Sequence, residues 1–255
     1  MAKKILLISG HGAGDPGATA KIKGKVYKEA EETIVMVSKI RDQLASYDCK
    51  VELYPVERNA YEDAKAGTLK KRMADYDYVL EVHFNACVND LKGNGKVTGS
   101  EAYITTGDKT KKIENNILKG LESLGLKNRG VKSHNYTVIS RAANAGADSC
   151  LIEICFIDDA DDMKIYLGNK DKIAKQIAKG IADGLGVKKK NTKQLNVGAQ
   201  VKVKSGAVDA NTGKKYSNFV YKKVYTVIYV KDGYVAFGTD GIAVGRTKKE
   251  NIILQ

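Results

Sequence analysis

The sequence has no apolar run long enough to cross a membrane. Its longest runs, such as Ile5 to Ile8, fall far short of the ~18 residues a span needs. The start of the sequence is also not expected to act as a secretion signal. The basic start Met1-Ala2-Lys3-Lys4 leads into an apolar stretch that stops at Ser9-Gly10-His11, too short for a signal core and better read as a first β-strand. The expectation is synthesis in the cytoplasm without an export address. Cysteine is scarce: Cys49, Cys87, Cys150 and Cys155 show no C-x-x-C spacing, so reduced, buried thiols are expected. A zinc site on Cys150 and Cys155 lacks two further ligands at matching spacing. Histidine is scarcer still, with only His11, His83 and His134.

What is present resembles an ordinary globular chain. Its 255 residues are 43% hydrophobic and 29% charged, enough for a medium domain with a small one beside it. The net charge of +13 is uneven. Residues 188–255 carry 14 Lys/Arg against 4 acids, whereas residues 1–187 carry 29 against 26. A module at +10 is drawn to polyanions such as nucleic acid, anionic lipid or the polymers of a bacterial wall; a merely solubilising surface is the plainer alternative.

The composition shift coincides with a change of period. Strands alternate with helices in the first part. Ile5–Ser9, Lys50–Tyr54, Asp77–His83, Ser100–Thr105 and Cys150–Phe156 read as strands. Glu29–Leu44, Lys111–Leu124 and Asp171–Leu185 read as helices. This order predicts an α/β domain over 1–186, with a largely parallel or mixed twisted sheet flanked by helices. Residues 187–196 are polar and aperiodic, which is linker chemistry. Beyond them, Val201-Lys-Val203, Tyr225–Val230 and Tyr234–Gly238, with Asp232-Gly233 as a hairpin turn, predict a small all-β barrel over 197–255.

Ligands in such α/β sheets gather beyond the carboxyl ends of the strands. His11 and His83 each close a predicted strand there. Glu153 lies inside the apolar strand Leu151-Ile-Glu153-Ile-Cys-Phe156, where a carboxylate must be paired, protonated or coordinating. Two histidines and a carboxylate are the protein ligands of a catalytic zinc, with water in the fourth position and a second glutamate to move protons. Glu29, Glu31 and Glu32 at one helix start all offer the carboxylate. Gly10-x-Gly12-x-Gly14 is not read as a nucleotide loop, because no P-loop lysine follows.

Four ordered segments resemble the zinc-dependent N-acetylmuramoyl-L-alanine amidases of the type 3 family. They are Ser9-Gly-His11-Gly-Ala-Gly-Asp15-Pro16-Gly17-Ala18, Tyr27-Lys-Glu29-Ala30, Glu81-Val-His83-Phe-Asn85-Ala86 and Leu151–Phe156. Lys127-Asn-Arg129-Gly130-Val131-Lys132 is similar to the stretch before the last of them, and together they span residues 3–186. The chain departs from the family at Ile8-Ser9, where an Asp-Pro often stands. The resemblance implies that His11, Glu29 and His83 bind one Zn2+ and that Glu153 is the acid/base. The implied substrate is the amide between N-acetylmuramic acid and L-alanine in peptidoglycan. Glu32, one turn beyond Glu29, is then expected to face solvent. Glu81 is a neighbour of the metal shell or part of a separate ion pair. His134 lines the cleft or lies on plain surface, while Arg129 and Arg141 suit stem-peptide carboxylates or surface ion pairs.

The basic barrel is similar to bacterial SH3-type wall-binding modules in size, strand pattern and position. The reading is an endolysin-like amidase acting at the cell wall. Its partners are peptidoglycan and wall polymers, with no nucleic acid and no membrane. A wall-binding protein without activity, a bacterial autolysin and a basic nucleic-acid binder are the alternatives.

Overall fold

The computed structural model describes residues 2–108, 111–190 and 195–255. The chain separates into two units, Met1–Lys190 and Asn191–Gln255. The first opens with β1 (Lys3–Ser9), whose Ile5, Leu6, Leu7 and Ile8 are wholly shielded from solvent. A strand apolar on both faces belongs inside a sheet covered on both sides. A hairpin of β2 (Thr19–Ile22) and β3 (Lys25–Lys28) leads into α1 (Glu29–Leu44), followed by β4 (Cys49–Leu53) and α2 (Ala60–Ala66). Next come β5 (Tyr78–Asn85), β6 (Ser100–Ile104), α3 (Lys112–Glu122), β7 (Asn128–Ser133), α4 (Thr137–Asn144), β8 (Asp148–Phe156) and α5 (Ala160–Leu185).

Six strands form one sheet in the order β4-β1-β5-β8-β6-β7. Every neighbouring pair is parallel except β6 against β8. This is the mostly parallel, helix-flanked sheet expected from the sequence. Alternation along the strands divides the core. Ile5, Leu7, Leu80, Val82 and Ile152 pack with α1, α3 and α5 on one face. Leu6, Ile8 and Val79 pack with Ala60, Ala64, Val138 and Ala142 of α2 and α4 on the other. Each such side chain contributes roughly 1.5–3 kcal/mol on burial. On β5 the same alternation sends Glu81 and His83 to the α2/α4 side.

Two boundaries differ from the sequence reading. Helix α5 begins at Ala160, eleven residues before the expected start, and Asn169 leaves helical geometry (φ −136°, ψ 20°). The Gly168-Asn169 break interrupts the apolar period, so only the second half reads as helix from sequence. The first unit also continues past residue 186. Asp48 N–H donates to Lys188 O and Lys190 N–H to Ser46 O, which ties residues 187–190 to the edge of this unit. Of the rest of the expected linker, residues 191–194 lie outside the described residues. Among the described residues no helix is long and apolar enough to cross a membrane.

The second unit contains β9 (Gln200–Val203), α6 (Asn218–Lys222), β10 (Tyr225–Lys231), β11 (Tyr234–Thr239), β12 (Ile242–Lys248) and β13 (Ile252–Leu254). They form an antiparallel sheet in the order β12-β11-β10-β9-β13. The expected Asp232-Gly233 turn is present with φ 49° and 81°, and Asp240-Gly241 repeats it at 51° and 78°. Only residues tolerant of left-handed backbone make such a two-residue hairpin. Tyr225 and Phe237 are core residues beside Val201, Val203, Val227 and Val235, while Phe219 and Tyr229 remain exposed.

Candidate metal centre

The site forms where β1, β5 and β8 end. Beyond β1, Gly10 N–H donates to Val82 O at 2.9 Å, which sets the loop against β5. His11 itself adopts a left-handed backbone (φ 63°). A small turn follows, in which Gly12 and Asp15 exchange backbone hydrogen bonds at 3.0 Å. The loop then supplies what the start of α1 lacks. Ala18 O accepts from Glu29 N–H at 2.9 Å and Pro16 O from Ala30 N–H at 3.1 Å. Two otherwise orphaned helix donors are thereby satisfied, and the loop carrying His11 is fastened to the helix turn carrying Glu29.

Glu29 is only 3% exposed. Its Oε1 accepts from Phe84 N–H at 2.9 Å and stands 2.9 Å from His83 Nδ1. Oε2 accepts from Ala18 N–H at 3.0 Å and stands 3.1 Å from His11 Nε2. The other nitrogen of each imidazole also meets a carboxylate: Asp15 Oδ2 lies 2.8 Å from His11 Nδ1 and Glu81 Oε1 3.4 Å from His83 Nε2. The Glu81 approach does not reach hydrogen-bond geometry, so buried Nε2 of His83 has no hydrogen-bond partner. The two rings meet edge to face, 5.0 Å between centroids.

This density of negative charge governs the electrostatics. The hydrogen bond with Glu29 raises His11 above the ordinary histidine value, with Asp15 adding to it. Burial works against an imidazolium at His83, yet Glu29 and Glu81 together hold it well above that value. Burial pushes Glu29 up, but His11, His83 and the Phe84 N–H outweigh it, and its carboxyl stays far below the usual range. The surroundings therefore favour positive charge between the rings.

The geometry fits a metal. His11, Glu29 and His83 each offer one ligand atom, all within 4.8 Å of one another. Tetrahedral zinc with ligands at about 2.0–2.1 Å needs them roughly 3.3 Å apart, close to the 2.9 and 3.1 Å between Glu29 and the two rings. Two glycines make the approach possible. A Cβ on Gly10 falls 2.4 Å from His83 Cε1, and one on Gly17 falls 2.6 Å from His11 Cδ2 and 2.8 Å from Glu29 Oε2. No other residue type fits at either position without moving the ligands.

Glu153 pairs in register with His83 across β5 and β8. Its Oε2 is buried without a hydrogen-bond partner. Burial, with Glu29, Glu101 and Glu81 nearby, pushes its carboxyl up to about 7 against the opposing pull of His83. A carboxyl with that value holds or releases a proton near neutral pH, as an acid/base must. In front of these residues is a cleft of about 450 Å³ lined by His11, Asp15, Glu81, His83, Glu153, His134 and Tyr136, among others.

The remaining candidates divide. His134 is a wall of the cleft, its ring 4.3 Å from that of Tyr136. Arg129 is bonded to Glu101, and Arg141 is an exposed residue of α4 outside the cleft wall. Glu31 is on the surface with Lys28. Glu32, expected to face solvent, is buried. It accepts from Tyr166 OH at 2.7 Å and Lys170 Nζ at 2.5 Å, because α5 packs over this side of α1. All four cysteines are free thiols. Cys150 and Cys155 are buried as expected, but Cys87 is exposed and Cys49 half-buried, since they lie on a loop and an edge strand.

Sequence reasoning assigned no role to Asp15 or Glu101. Asp15 carries no signal beyond its place in the glycine loop. Glu101 lies in a strand of buried residues as Glu153 does, and the same argument about acids in apolar runs points to it.

Residues 5–185 match the family described as N-acetylmuramoyl-L-alanine amidase. An endolysin of Bacillus phage SPP1 is 28% identical over 190 residues, which are 72% of this chain and 65% of that protein, so the chain spans just under two thirds of that relative. A sporulation-specific N-acetylmuramoyl-L-alanine amidase of Bacillus subtilis (strain 168) is 28% identical over 238 residues, 90% of this chain and 85% of its own. Among solved structures, the catalytic domain of an N-acetylmuramoyl-L-alanine amidase from Bacillus (Paenibacillus) polymyxa var. colistinus is similar with a TM-score of 0.58 at 22% identity. That likeness covers 73% of this chain and 99% of the other, and it bears on the fold.

Proposed function

The chain belongs to the N-acetylmuramoyl-L-alanine amidase family, and from that premise we propose that its first unit hydrolyses the amide joining N-acetylmuramic acid to L-alanine in peptidoglycan, using one Zn2+. The observation that carries this reading is the convergence of His11, Glu29 and His83 beside Glu153, whose Oε2 is unpaired. His11, Glu29 and His83 would hold the metal, with Asp15 hydrogen-bonded behind the His11 ring and Glu81 3.4 Å behind that of His83. A zinc ion so held polarises a carbonyl and lowers the pKa of water.

The chain's own groups do the rest. Glu153 accepts the proton that the attacking water gives up and passes it to the departing L-alanine nitrogen. A carboxyl near 7 is suited to both halves of that exchange. Proton transfer of this kind is worth about 10²–10⁴-fold in rate. The cleft walls at Tyr136 and His134 flank the substrate at the sheet end.

The second unit, with exposed Phe219 and Tyr229 and its excess of lysine, tethers the enzyme to the bacterial wall in the manner of an SH3-type module. The setting is lysis, as for the phage relative. The decisive experiment is chemical analysis of purified peptidoglycan after digestion by the zinc-loaded protein. New L-alanine amino termini without new reducing sugars are expected, and exhaustive chelation should abolish them. New reducing ends would mean a glycosidase.

A further inference from the structure

Glu101 is 2% exposed and stands in register with Glu153 across β6 and β8. Four donors converge on its carboxylate. Asn85 Nδ2 at 2.8 Å and Tyr103 OH at 2.7 Å bond Oε1, and Arg129 Nε at 2.6 Å and Lys132 Nζ at 2.5 Å bond Oε2. Both cations come from β7, the strand beyond β6 at the sheet edge. Two cations on one carboxylate leave one positive charge in excess, within two strands of the acid/base.

That charge is organised for an outside partner. The Arg129 guanidinium lies over the Phe156 ring, 5.0 Å from its centroid. Among the described residues it makes its hydrogen bond through Nε alone. Its terminal amino groups are thus held in place with no protein acceptor, and its side chain is 31% exposed. The Lys132 ammonium sits 5.5 Å over Tyr103 and is 41% exposed. Tyr103 meets Tyr136, a wall of the cleft, at 5.2 Å. Strand register therefore leads from His83 to Glu153 and on to Glu101, which holds the guanidinium fork. Such a fork fits a carboxylate with two parallel hydrogen bonds.

Resting on the amidase reading, we infer that Arg129, supported by Lys132 and Glu101, binds a carboxylate on the peptide arm of the substrate, beyond the bond that is cut. Glu101 has the reverse task, fixing both cations so that little order is lost when the substrate arrives. An amide at the same place on the peptide gives the fork no charge to pair and is the poorer ligand.

The test is equilibrium binding of two muropeptides to the full chain carrying Glu153→Gln. One has a free α-carboxylate on its second residue, and the other has that group as an amide. The acid should bind roughly tenfold more tightly. Arg129→Gln should bring the ratio close to one, by weakening the acid and leaving the amide unchanged. Because Arg129→Gln strips a cation from buried Glu101 and can fail to fold, Arg129→Lys is measured beside it. That variant keeps a charge for Glu101, loses the fork, and should lower the ratio while keeping the parent's melting behaviour. Equal affinities in the parent, or a ratio unchanged in the folded variants, overturn the inference. Cleavage of the same muropeptides by the unsubstituted protein reports on the amidase reading separately. A binding preference without cleavage sinks that reading alone, and cleavage without a preference sinks this one.

Discussion

Glu153 faces His83 across two adjacent parallel strands, in register, at the end of the sheet where the β1 loop delivers His11. One strand spacing, about 4.8 Å, separates the candidate ligand from the candidate acid/base. Because both sit on hydrogen-bonded strands in the middle of the sheet, their separation is set by backbone pairing and not by flexible loops.

Replacing Glu153 by Ala should leave bound zinc at about one per chain and cut hydrolysis by about 10²–10⁴-fold. Elemental analysis beside the digestion assay checks it. Loss of metal in this variant, with Glu29→Ala still loaded, would show that the two glutamates have exchanged roles.

Activity should rise with pH as Glu153 ionises, since only the carboxylate can accept a proton. Burial and three neighbouring carboxylates raise it to about 7, and a bound dication can only lower that value. The acid limb of kcat/KM should therefore fall at or below about pH 7. A limb well above 7, or none between pH 4 and 8, counts against Glu153 as the base.

Asp15→Asn and Glu81→Gln should each weaken zinc binding by about 10–100-fold, as loss of a carboxylate behind a metal-bound histidine usually does. Asp15 is expected to matter more, because its 2.8 Å contact to His11 is a hydrogen bond and the 3.4 Å contact of Glu81 is not. Competition with a chelator of known affinity measures both. Unchanged affinity in the Asp15 variant would remove its orienting role.

Gly10→Ala puts a methyl 2.4 Å from the His83 ring. Overpacking of this kind costs about 1–3 kcal/mol, so the melting temperature should drop and zinc should no longer raise it. Gly14→Ala, at a position where a Cβ meets nothing within 4 Å, serves as the control, with only the strain of its positive φ. Equal behaviour of the two would argue against a cradle at Gly10.

The second unit should hold the full chain on purified walls, and a chain ending at Lys190 should bind them poorly while still cleaving soluble muropeptides. Part of the retention should fade with salt, as the screening length shrinks from ~10 Å at 0.1 M to ~3 Å at 1 M. Stacking by Phe219 and Tyr229 should leave a salt-resistant part. Retention on duplex DNA in place of walls would favour the nucleic-acid alternative.

Glu32 shows where reading from sequence fails. Nothing in Glu29-Ala-Glu-Glu32 tells which carboxylates meet solvent, because the answer depends on Tyr166 and Lys170, more than 130 residues away. The short elements α2, α4, β7 and the β2–β3 hairpin were likewise unread, being too brief for an apolar period to register.

By itself the sequence determined the alternation of strands and helices, the burial of β1 and β8, and the candidates His11, His83 and Glu153. Short apolar runs bounded by turn residues read as inner strands, and a charged or imidazole side chain at or near their ends is conspicuous. Glu29 came only through its resemblance to a motif. Tertiary structure alone decided that β6 runs antiparallel to β8, and that Asp15 and Glu81 back the two imidazoles. It also brought Glu101 to Arg129 and Lys132 beside the acid/base. Those relationships join residues on different strands and loops, and side-chain distances between them exist only once backbone pairing has fixed the register.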